Sequence, residues 1–238
     1  MMKHFGLIVL MILLLPETGL CALNGVEQRN INSNSALKDT IKERQVLYNG
    51  KVWTNKFRYV DGDQFLFSEL SMPGSISINK KSFNNLWVKY DIFSDEIITP
   101  LNDEYVLQLN KEMVDSFSLT FENRTYRFIK IPNDSPEGVS GYVQLLFNGH
   151  SRFFVKYKKS ISYFDAKKAN GQFSQDFTMF LDKGDIVYQI NNKNDLYDVF
   201  QEKKKQIREY IKKNKLKVTK KSPESFVPVI RFYDNIIQ

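Results

Sequence analysis

Between Val46 and Ile190 apolar and polar residues alternate in short runs, which is the period of a strand with one face in a core. Phe117, Leu119 and Phe121 fall on one face of such a strand, and Ser116, Ser118 and Thr120 on the other. The same period of two recurs at Ile76/Ile78, Leu86/Val88/Tyr90, Tyr105/Leu107/Leu109, Tyr126/Phe128, Val143/Leu145/Phe147, Phe153/Val155/Tyr157, Phe177/Met179/Leu181 and Ile186/Tyr188/Ile190. Turn signals lie between the runs: Asn49-Gly50, Asn79-Lys80, Glu122-Asn123, Asn148-Gly149 and Asp182-Lys183-Gly184. Asn and Gly tolerate the positive φ of tight hairpins, so consecutive strands are expected to pair antiparallel. About ten strands with no helical pattern between them exclude a βαβ fold. The reading is mainly β: an antiparallel meander that buries its apolar face by curling like a barrel or packing as a two-layer sheet. An outer-membrane barrel would need strands of roughly 9 to 11 residues, longer than these runs.

From Asn194 the period lengthens to about 3.6. Leu196, Val199, Phe200, Ile207, Tyr210 and Ile211 share one side of a helix, with Asn192 or Asn194 as its cap and Asp195 in its first turn. A second helix is predicted after Ser222-Pro223, with Phe226, Val229, Ile230, Tyr233 and Ile237 on one side and Pro228 as a kink or a late start. The expected organisation is therefore a β domain over residues 46–190 and a helical segment over 191–238 packed on the sheet. Leu23 to Gln45 is rich in Asn, Ser and charge without an apolar period, and reads as a flexible lead-in. Before it, Lys3 precedes eleven apolar or small residues, Phe5 to Leu15, too few to span a hydrocarbon core as a helix. Residues 1–22 thus read as a secretory signal with cleavage near Ala22, no transmembrane helix remaining afterwards. Lipoprotein processing at Cys21 is the competing reading, and Leu20 before the Cys speaks against it.

Composition then narrows the chemistry. The 238 residues include 19 Phe and 12 Tyr but only 2 His and 1 Cys. Cleavage at Ala22 leaves one histidine, His150, and no thiol. That excludes a disulfide framework, a thiolate zinc site and a two-histidine metal site within one chain, and no metal or cofactor is expected. His150 follows the Asn148-Gly149 turn and reads as a solvated turn residue, so no catalytic residue is assigned. Asp61-Gly62-Asp63 and the group Asp91, Asp95 and Glu96 are the acidic clusters; beside Gly or Ser they read as turn chemistry. A carboxylate-based hydrolase of envelope or dietary glycans is the alternative function, and would need two of these acids in one cleft with aromatic walls. Asn123-Arg124-Thr125 is a glycosylation sequon, placed on a turn.

Charge is concentrated in one place. The chain carries +7, whereas Lys203 to Lys221 alone holds ten basic residues and Glu209, or +9. The remainder is slightly acidic. Lys204, Lys205, Arg208, Lys212 and Lys215 form a stripe beside the apolar side of the first helix, suited to an anionic envelope surface or to another envelope protein. Aromatic residues are not interleaved with the lysines as stacking on bases requires, so nucleic acid is not an expected partner.

The segments Leu47-Tyr48-Asn49-Gly50-Lys51-Val52-Trp53, Gly74 to Phe83, Lys89-Tyr90-Asp91 and Asp95-Glu96, with the endings Ile211 to Leu216 and Phe232-Tyr233-Asp234, resemble a pattern of uncharacterised exported β-rich proteins of the Bacteroidota. The resemblance implies the periplasm, the outer-membrane surface or the exterior of a Gram-negative cell, and no established activity. Both lines of reading converge on an exported cell-envelope protein, a non-catalytic binding or structural module.

Overall fold

The computed structural model describes residues 45–132, 139–163, 171–184 and 186–237. The segment read as a secretory signal, Cys21 and most of the expected lead-in lie outside them. The chain divides into Met1–Gln45 and Val46–Gln238, and the fold described is that of the second unit. It is mostly β, with eleven strands in one open antiparallel sheet followed by helices, as the hydrophobic pattern predicts.

The strands are β1 (Gly50–Val52), β2 (Met72–Ile78), β3 (Lys81–Asp91), β4 (Glu96–Pro100), β5 (Val106–Leu109), β6 (Val114–Phe121), β7 (Arg124–Ile131), β8 (Gly141–Asn148), β9 (Ser151–Ser162), β10 (Gln172–Lys183) and β11 (Ile186–Ile190). Their order is β1-β5-β4-β3-β2-β6-β7-β8-β9-β10-β11. Two meanders, β2 to β5 and β6 to β11, join where β6 returns to pair with β2. Two predicted turns adopt the left-handed pair of residues that lets a hairpin follow the strand twist: Asn79 and Lys80 (φ 50° and 65°), and Glu122 and Asn123 (φ 47° and 60°). Asn49-Gly50 behaves differently. Gly50 opens β1 and pairs with Leu109, and a Cβ on it would run into the Gln108 carbonyl, so this glycine serves close strand approach rather than a hairpin.

One face of the sheet carries two core clusters, with half-buried Tyr157 packed against both. Ile76, Val88, Tyr90, Phe117, Leu119, Phe128 and Tyr142 fill one half; Phe153, Val155, Met179, Leu181 and Ile190 fill the other beneath the helices. The opposite face is also apolar at its centre, where Val143, Phe154 and Phe180 are buried with Val139. The expected inward run Val143/Leu145/Phe147 is therefore split. Val143 and Leu145 belong to the second face, and a bulge between Leu145 and Phe147 returns Phe147 to the helix side. The sheet curls so that residues 61–66 lace its halves: Phe65 bridges to Asp91, Asp61 to Gln172, and the Lys159 ammonium reaches the carbonyls of Asp63 and Phe65 at 2.8 and 2.6 Å.

The first predicted helix is interrupted. It forms α1 (Lys193–Val199), a 3₁₀ turn (Gln201–Lys203) and α2 (Lys204–Lys213). Asn192, one of the two expected caps, begins α1, and Asp195 of the first turn caps it in return. The break falls at Phe200, which is fully buried and stacks on Tyr233 with ring centroids 3.7 Å apart. That tertiary contact sets the kink. After Lys221 a 3₁₀ turn (Pro223–Phe226) leads into α3 (Val227–Ile237), which solves the Pro228 problem by placing it at the second position, where its missing N–H is not needed. Phe226, Val229, Ile230 and Tyr233 face the sheet, while Ile237 is exposed.

Candidate functional site

The five acids singled out by the sequence do not converge. Asp61 is exposed, and its backbone pairs with Gly171 and Phe173. Asp63 Oδ1 accepts from the Phe65 N–H and from Lys159. Asp91 is buried, with Oδ1 accepting from the Phe93 and Ser94 N–H groups at 2.9 Å each, the turn role expected of it; burial pushes its carboxyl up. Asp95 and Glu96 line different clefts.

Asp95 is the centre of a polar cluster that sequence reading did not find. It sits in the left-handed region (φ 59°) of the β3–β4 turn. Oδ2 meets Lys111 at 2.7 Å, and Oδ1 meets Lys156 at 3.1 Å and the Tyr90 hydroxyl at 2.5 Å. The Tyr142 N–H lies 3.4 Å from both oxygens, and Gly141 beside it (φ 79°) leaves the space that a Cβ would take from the carboxylate. Burial opposes ionisation of Asp95, yet Lys156 and Lys111 overcome it and hold the carboxyl below its usual range. Burial likewise drives the Tyr90 hydroxyl well up, so it remains a donor. An ionised carboxylate with both oxygens engaged has no proton to give as a general acid. The cleft beside it, about 530 Å³, is walled by Phe93, Tyr157 and Phe180 and shared with the exposed Asp176.

Glu96 lines a second cleft of about 480 Å³ with Lys51, Gln108, Lys111 and Glu112. Burial raises Glu96, and one of its oxygens has no hydrogen-bond partner. Lys130 at 2.9 Å lowers Glu112, which is exposed. The two carboxyls are thus pushed apart in proton affinity, but no aromatic side chain lines this cleft, and Glu112 is committed to its lysine. Among the described residues no three His, Cys, Asp or Glu side chains are grouped to hold a metal ion. His150 is exposed in the β8–β9 turn.

The basic stripe is divided by the fold. Lys204 pairs with Asp198 at 3.0 Å, and the Arg208 guanidinium lies over the Tyr197 ring at 5.0 Å. Lys205, Lys212 and Lys215 are exposed, as are Lys213, Lys217, Lys220 and Lys221, and none has an ion-pair partner among the described residues. Seven unpaired cations thus share α2 and the loop after it. Glu209 is the lone acid in that stretch.

Next to this face, α3 and β8 border an apolar groove of about 630 Å³, lined by Leu146, Tyr210, Val227, Pro228 and Phe232, with Glu224, Arg231 and Asn235 as its polar members. Tyr210 of α2 and Phe232 of α3 stack with centroids 4.0 Å apart. Nothing in the residue pattern announces this groove. It exists because the β8 bulge puts Leu146 beside α3. Comparison of the chain with protein-family models, with curated proteins and with solved structures finds no match. Among the described residues no helix is long and apolar enough to cross a membrane.

Proposed function

We propose that this chain is exported to the envelope of a Gram-negative cell and acts there as a non-catalytic binding module that attaches to an anionic lipid surface through α2 and the loop after it. The carrying observation is the set of seven exposed lysines without ion-pair partners among the described residues, gathered on one short segment of a chain that is otherwise slightly acidic. Charges with no internal partner break no ion pair when they turn toward phosphate headgroups, and each lysine near such a surface contributes about 1 kcal/mol. The run Phe5 to Leu15 supports export, and the engagement of Asp63, Asp91 and Asp95 within the fold favours binding over carboxylate catalysis.

The purified chain is expected to co-sediment with phosphatidylglycerol-containing vesicles at low salt, and to stay in solution with phosphatidylcholine alone. The triple variant Lys205→Glu, Lys212→Glu, Lys213→Glu leaves Lys204 and Arg208 in their internal contacts, so folding is unaffected. Its vesicle affinity should fall by about a hundredfold or more. Retention equal to that of the unaltered chain would end this reading. Selective retention on lipopolysaccharide glycan or on a protein partner, without lipid binding, would end it as well.

A further inference from the structure

The groove beside α3 is apolar along its walls and positive in its unpaired charge. Of its two charged side chains, Glu224 is already paired with Arg124 at 3.3 Å. Arg231 is exposed, its guanidinium 5.7 Å from the Phe147 ring centroid, and it has no ion-pair partner among the described residues. Leu146, Val227, Pro228, Tyr210 and Phe232 stay half-buried, their remaining surface turned to the groove. Its volume lies within the range of about 300 to 1,000 Å³ usual for small-ligand sites.

From this combination we infer that the groove takes one aliphatic chain of a singly anionic amphiphile, with the acid group at Arg231. Methylenes match the apolar walls, and a carboxylate or phosphate matches a guanidinium fork that carries donors in fixed geometry. A neutral chain would gain nothing from Arg231, and a cationic one would be repelled. The envelope reading supplies only the source of such an amphiphile. Binding is measured without vesicles, so either reading can fail alone.

The test is calorimetric titration of the purified chain with dodecanoate below its micelle concentration, with the glycerol monoester of the same acid as the neutral comparison. Saturable one-to-one binding of dodecanoate is expected. Arg231→Glu, a change at an exposed position, should weaken it about tenfold or more and leave the monoester within about twofold. Val227→Trp fills the groove and should abolish both. Should that variant fold poorly, a fluorophore on Asn235→Cys, at the exposed rim, should report dodecanoate with the same affinity as the calorimetry. Absence of saturable binding, binding insensitive to Arg231→Glu, or a label buried by self-association of the chain would each overturn the inference.

Discussion

Glu96 shows what burial does to a single carboxyl. One oxygen is shut away without a partner, and burial raises its proton affinity against the pull of Gln108 and Lys111. A raised acid is penalised when ionised, so the fold loses stability as pH climbs through that raised value. Glu96→Gln keeps the shape and removes the charge. It should gain up to about 1 kcal/mol in urea unfolding at pH 7. Below the ordinary Glu value of 4.5 the native side chain is protonated in both states, and the gain should vanish. A variant less stable at pH 7 would show that Lys51 and Lys111 need the charge. Asp95, its neighbour, has the opposite balance, because two lysines and a tyrosine arrive from β3, the β5–β6 turn and β9. Its sequence context, Ser94-Asp95-Glu96, is that of an ordinary turn. Nothing local separates it from Asp91, since the partners that distinguish them are 16 and 61 residues away in the chain, at Lys111 and Lys156.

At the scale of an element, hairpin chemistry is written in neighbouring residues and was legible, as at Asn79-Lys80 and Glu122-Asn123. The end of α2 is written less plainly. Leu216 N–H donates to Ile211 and Lys215 N–H to Lys212, the double closure of a Schellman ending, with Leu216 and Ile211 both packed on the core. Lys215 occupies the left-handed position (φ 51°) that glycine normally fills. Lys215→Gly should therefore stabilise the fold by about 1 kcal/mol, seen as a midpoint raised by roughly 2 to 4 °C in thermal melting. It should also weaken vesicle binding a few-fold through the lost cation. A lower melting point would mean the lysine side chain contributes packing that outweighs its backbone strain. The interruption at Phe200 belongs to a different class. A wheel drawn over α1 and α2 puts Phe200 on the buried side correctly but carries no sign that stacking on Tyr233 would bend the helix there.

Across the whole molecule, sheet and helices meet at one charged node. Lys183 at the end of β10 reaches Glu202 at 2.8 Å and the Val199 carbonyl at 3.1 Å, while the Tyr233 hydroxyl of α3 donates to Glu202 at 2.6 Å. Burial is the largest single influence on Glu202 and opposes its ionisation, but Lys183 and Tyr233 together outweigh it and hold the carboxyl down at about 2. A lowered acid stabilises the fold above its ordinary value of 4.5, and that contribution drains away as pH falls toward 2. The side chain is 49% exposed, so solvent screening limits the effect to no more than about 1 kcal/mol. Glu202→Gln should accordingly lower stability at pH 7 and converge with the unaltered protein near pH 2, as followed by urea unfolding across that range. Equal stability at pH 7 would show that the node holds no helix to the sheet.

The chain's own pattern determined that the fold is an antiparallel sheet with C-terminal helices, where most hairpins turn, and that positive charge gathers after Lys203. Each of these depends on residues within a few positions of one another. Tertiary structure alone decided that β6 returns to β2, that β8 and β9 are buried on both faces, that Asp95 is ringed by lysines, and that Leu146 and α3 enclose a groove. All of these join residues distant in sequence, and a period of two or 3.6 records which side of an element is apolar without recording what lies against it.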